Sequence, residues 1–136
     1  MTVPSDLSII SQNVLMKLSF DLTESSNNGM SKYYLWTNKE MQFSFIYDRC
    51  YYDCDIVAHK KPINPMNLIR LLRFLKSDKI FYKKKLIDAN LSYTLTVNGY
   101  VELFYKNYNL IEEFLIMFNQ EKYDNYNNFE FSYEGI

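Results

Sequence analysis

The chain has 136 residues, 48% of them hydrophobic, with only three glycines and three prolines. That is the length of one domain (1–136) with apolar surface enough for a continuous core, and it excludes intrinsic disorder. No apolar run reaches the roughly 18 residues of a membrane span, and MTVPSDLSII lacks the basic start and long apolar stretch of a signal peptide, so a cytoplasmic protein is expected.

Residues 5–18 predict a helix, with Leu7, Ile10, Val14 and Leu18 at helical spacing and Ser5 as N-cap. Phe20 and Leu22 can open a short strand, and TESSNNGMS (23–31) reads as a polar loop around Gly29. Strands are expected at 32–36, 41–47 and 51–57. In the second, Met41, Phe43, Phe45 and Tyr47 alternate with Gln42, Ser44 and Ile46, the period of a sheet face. The connections 37–40 and 48–50 are short enough for antiparallel neighbours.

The period changes near Lys60. Asn64 and Pro65 predict a helix start, followed by the stripe Leu68, Leu71, Leu72 and Leu75 with Arg70 and Arg73 opposite. Ser77 or Asp78 can cap a second helix over 79–89. The run 91–97 alternates strictly before Asn98-Gly99, a hairpin signal. Against a hairpin stands a helical stripe of Tyr100, Leu103, Phe104, Tyr108, Ile111, Leu115 and Phe118, which favours a helix over 99–118. In the acidic, aromatic tail, Phe129 and Phe131 can pack back onto the body. The fold class expected is α+β: an N-terminal helix, an antiparallel meander of three or four strands, then two to three helices packed on the sheet.

Charge is segregated. Residues 60–85 carry nine basic side chains against Asp78, whereas 102–134 carry seven acids against Lys106 and Lys122. This segregation either pairs one segment with the other inside the fold or creates surfaces that steer a charged partner.

Catalytic signatures are lacking. Cys50, Cys54 and His59 form a C-x3-C-x4-H pattern that matches no common zinc spacing. On a strand, positions 50 and 54 lie roughly 13 Å apart, too far for a disulfide. His59 is the only histidine, so any Cys–His or Ser–His pair must use it. The glycines are isolated and cradle no phosphate. Asp53 and Asp55 lie two apart on a strand and face the same side, without a partner motif for acid–base work. Neither an enzyme nor a cofactor or metal is expected. Nucleic-acid binding through basic helices over 64–90 is an alternative, but the net charge of −1 and the lack of an RNP-like motif weigh against it.

What remains is the segment MQFSFIYDRCYYDCDIV (41–57), where tyrosines and carboxylates crowd a Tyr-Asp-Arg corner. Together with the N-terminal amphipathic helix and YVELFYKNYNLIEEFLIMF (100–118), this corner resembles small immunity proteins of bacterial polymorphic toxin and contact-dependent growth-inhibition systems. Those proteins often carry an Asp-Arg-Gly corner; Cys50 stands here where glycine is expected. The resemblance implies an inhibitor without catalysis that binds a cognate toxin protein, such as a nuclease. Another interaction or regulatory module is the alternative. Tyrosine and arginine favour interface hot spots, and carboxylates suit a basic partner. The partner-binding residues expected are Tyr47, Asp48, Arg49, Tyr51, Tyr52, Asp53 and Asp55.

Overall fold

A computed structural model of the chain describes residues 4–49, 51–59, 63–76 and 96–128. Helix α1 (Ile9–Lys17) precedes strands β1 (Asp21–Asn27), β2 (Ser31–Thr37), β3 (Met41–Asp48), β4 (Tyr51–Ala58) and β5 (Met66–Asn67). Helices α2 (Leu68–Leu75), α3 (Val97–Lys106), α4 (Tyr108–Ile116) and α5 (Gln120–Asn128) follow. The five strands form one antiparallel meander in the order β1-β2-β3-β4-β5, so the chain is α+β. None of the described helices is long and apolar enough to cross a membrane.

Alternation decides which sheet face is internal. Tyr34 and Trp36 on β2, Met41, Phe43 and Phe45 on β3, and Cys54, Ile56 and Ala58 on β4 share one face and are buried. Against them pack Leu15, Leu68, Leu71, Leu72, Val101, Phe104, Ile111 and Leu115, in one cluster. At its centre the Phe43 and Phe104 rings stack at 4.3 Å between centroids and 6° between planes. Phe20 and Tyr108 meet Phe104 edge-on at 5.7 and 5.5 Å. This aromatic seam joins sheet to helix, and each ring pair adds to area burial.

Several elements differ from expectation. Residues 23–27 are not loop but most of β1, an edge strand exposed along nearly its whole length. Its polar composition follows from having no face to bury. The turn shrinks to Asn28, Gly29 and Met30, where Gly29 takes φ +88° and the Asn28 Oδ1 accepts from the Met30 and Ser31 N–H groups.

The cap of α1 is Ser8, not Ser5; its hydroxyl accepts from Ser11 N at 3.1 Å. The Asn98 Oδ1 accepts from Ser8 N at 2.8 Å while Asn98 Nδ2 donates to the Asp6 carbonyl at 3.0 Å, tying 6–8 to the start of α3. The buried positions of this segment are Leu7, Ser11 and Leu15, and Ile10 is 77% exposed.

Helix α2 also starts late. Asn67 is its cap, accepting from Arg70 N at 3.0 Å. Asn64 instead gives its backbone N–H to the Tyr123 hydroxyl at 3.0 Å. The expected stripe of 99–118 is buried up to Leu115, but it runs over two helices, and half-buried Phe118 lies past the second of them. The chain breaks at Asn107, whose Nδ2 donates to the Leu103 carbonyl at 2.9 Å. Asn98 and Gly99 lie in the first turn of α3, capped by Thr96, so no hairpin forms there. The expected helix over 79–89, residues 91–95, Cys50, Phe129 and Phe131 lie outside the described residues.

Candidate partner-binding site

The β3–β4 corner is a tight hairpin, since the ladder runs to Asp48↔Tyr51 and leaves two loop residues. Arg49 takes φ +48°, the left-handed region that such a turn needs and that glycine fills most easily. Its N–H donates to the Met30 carbonyl at 3.1 Å, and the Asp48 carboxylate accepts from the Ser31 hydroxyl at 2.9 Å. The β1–β2 turn thus braces the corner. Asp48 and Arg49 themselves are exposed, and their 4.0 Å ion pair stabilises little in solvent.

The seven expected residues do not form one patch. The pleat sends Tyr47 and Tyr52 to the helix side, where their rings meet at 4.8 Å and pack against the core. Asp53 and Asp55 leave by the opposite face, alternating with buried Cys54 and Ile56. Tyr51 pairs with Asp48 in the ladder.

That opposite face is ordered in rows across the sheet. Glu24, Leu35, Ser44, Asp55 and Asn67 make one row, and Ser26, Tyr33, Ile46 and Asp53 the next. Leu35 and Ser44 are buried at its centre yet stand outside the main core cluster. Tyr33, Ile46 and Val57 are half-buried around them. The face therefore has an apolar middle with carboxylates at its margin.

The carboxylates are poorly compensated. Burial, and then the Asp55 charge, raise the Asp53 pKa, while hydrogen bonds from Cys54 N–H and the Asn67 amide oppose the rise. Burial alone raises that of Asp55; its carboxylate has no ion pair among the described residues. Burial and then Glu24 and Asp55 raise the Tyr33 hydroxyl. Half-buried acids held against their preference are candidates for functional sites, although structural networks shift carboxylates too.

A pH test follows. With the folded pKa above the unfolded one, the Asp55 contribution to stability is fully present below the ordinary carboxylate range. It is lost as pH rises through the raised value. Asp55→Asn is thus expected to have a higher melting temperature than the parent at neutral pH, the gain vanishing below about pH 4. Melting curves of both proteins across that range check it; a parent that is the more stable at neutral pH would mean that the carboxylate is favourably held.

The other candidates for chemistry are inert or apart. Burial, and then Asp53 and Asp55, push the Cys54 thiol up, which disfavours thiolate reactivity. His59 follows β4 with its backbone N–H on the Glu40 carbonyl at 3.0 Å, and its Nε2 finds no partner among the described residues. No three His, Cys, Asp or Glu side chains among the described residues are grouped to hold a metal. Of the segregated charges, no ion pair between 60–85 and 102–134 occurs among the described residues.

Sequence reasoning missed Tyr33, Ile46 and Glu24. Tyr33 and Ile46 were in reach, because each lies one position out of phase with a core alternation. Glu24 was not, since the strand bearing it reads as loop. The chain matches no protein-family model, no curated protein and no solved structure.

Proposed function

We propose that this chain is an immunity-type inhibitor that binds and neutralises a basic toxin domain through the outer face of β2–β4. The observation that carries the reading is Asp55, a half-buried carboxylate without an ion pair among the described residues, beside half-buried Tyr33 and Ile46. A free protein bears the cost of keeping such a group charged; a docked guanidinium or ammonium removes it. Apolar centre and charged margin are the anatomy of a specific interface. The Asp48–Arg49 corner extends this face at one end, where exposed charges act mainly on association rate.

The test is co-expression with the protein encoded by the adjacent gene, which the reading expects to carry a toxin domain. Protection of the cells and a stoichiometric complex on co-purification are the expected results. A neighbouring toxin that kills in its presence, or the absence of any complex, overturns the reading.

A further inference from the structure

A cavity of about 320 Å³ opens on the helix side of the β3–β4 corner, lined by Asp6, Gly29, Lys32, Phe45, Tyr47, Tyr52, Thr96, Val97 and Asn98. It lies across the sheet from Asp53 and Asp55. Phe45, Tyr47, Tyr52 and Val97 provide flat apolar walls, and the volume is at the lower end of the range for small-ligand sites.

The polar groups around it are unequally used. Of the Asp6 carboxylate, Oδ2 accepts from Lys32 Nζ at 3.0 Å and Oδ1 from the Tyr34 hydroxyl at 3.1 Å. Burial, and then the Asp6 charge, push that hydroxyl up to about 12, so it stays a donor. Both ends of the Asn98 amide are bonded. Each Asp6 carboxylate oxygen and each end of the Asn98 amide thus already has one partner within the protein.

Donors are left over. An ammonium has three N–H bonds, and only the one from Lys32 to Asp6 is used among the described residues. The Thr96 oxygen accepts from Gly99 N, which leaves its proton to give. The Tyr52 hydroxyl has no hydrogen-bond partner among the described residues. The positive end of the α3 dipole adds to the same bias. A cationic ligand would meet Lys32 already on Asp6 and over the Tyr47 ring, whose centroid is 5.7 Å from Nζ.

From these walls and donors we infer that the cavity is a binding site for a carboxylate carried on a flat apolar body, either a free aromatic acid or an aromatic C-terminal residue of a peptide. Lys32 takes the carboxylate with Thr96 and Tyr52 as further donors, and the rings enclose the body. The inference is separate from toxin binding, and a small probe reads the cavity directly, so either can fail alone.

The experiment titrates the isotope-labelled full chain with N-acetylphenylalanine, its amide N-acetylphenylalaninamide, benzoate and a pentapeptide ending in phenylalanine, followed by amide resonances. Saturable shifts around residues 32, 47, 52 and 96–99 are expected for the acid, with the uncharged amide weaker by about tenfold or more. Tightest binding of benzoate identifies a free aromatic acid, and tightest binding of the pentapeptide identifies a chain terminus. Lys32→Met should remove the preference for acid over amide. Tyr52→Phe, which keeps the ring, should weaken the acid several-fold, and it decides the matter if Lys32→Met does not fold. Equal binding of acid and amide, or no saturable shift with any probe at millimolar concentration, overturns the inference.

Discussion

Replacing Phe104 by alanine is expected to lower unfolding free energy by about 3–5 kcal/mol, the range for truncating a buried phenylalanine. The ring is fully buried, stacks on Phe43 and is met edge-on by Phe20 and Tyr108. Its loss opens a void between α3 and the sheet that neither a rigid strand nor a capped helix can close. Denaturant titration with an unchanged slope is the measurement. A loss near 1 kcal/mol, which is the size of a helix-cap effect, would mean that the seam collapses to fill the gap.

The second large effect is on association. If the proposed toxin binding uses this face, Asp55→Lys is expected to weaken it by about 2–5 kcal/mol, roughly thirtyfold or more, while the fold persists. Asp55 is the cleaner site than Asp53 because the latter has structural work: it accepts from the Cys54 N–H and from the Asn67 amide, the cap of α2. Asp53→Lys therefore mixes a loosened helix start with a changed surface. Affinity and melting temperature should be measured on both variants. Unchanged affinity of a folded Asp55→Lys protein removes this face from the interface, and a loss confined to the association rate places Asp55 on its rim.

The central sheet was legible because β3 and β4 turn their most buried apolar side chains to one face, which imposes a period of two. In β2 the run 33–36 is apolar without a break because Leu35 is buried on the other face. β1 was legible only at its start, where Leu22 packs on the core; the rest of DLTESSN is an exposed edge and so carries a loop's composition. β5, two residues long, is too short to show any period. The stripe from Tyr100 to Phe118 announced helix but hid the break at Asn107, since α4 continues the apolar face that α3 begins. Ile10 was misassigned because the helix is phased from Ser8, and the apolar set there is completed by Ser11, a residue that no hydrophobic count selects. At the site, alternation placed Asp53 and Asp55 on one face correctly. The separation of Tyr47 and Tyr52 from them follows from the same rule once the ladder Tyr47↔Tyr52 is known. The cavity was out of reach: Asp6, Lys32 and Asn98 are far apart in sequence, and only the fold brings them together.

Trp36, the single tryptophan, is 3% exposed and lies on the Phe43 ring at 5.5 Å and beside Tyr34 at 5.9 Å. It is a built-in fluorophore at the sheet–helix seam. Its emission should be blue-shifted in the native protein and move to longer wavelength when the seam opens, with no label attached. Because it sits on the face away from Asp55, a partner docking there leaves its surroundings unchanged. One optical signal thus follows the integrity of the interior while a second method follows association, and the two roles of a carboxylate can be told apart in the same cuvette.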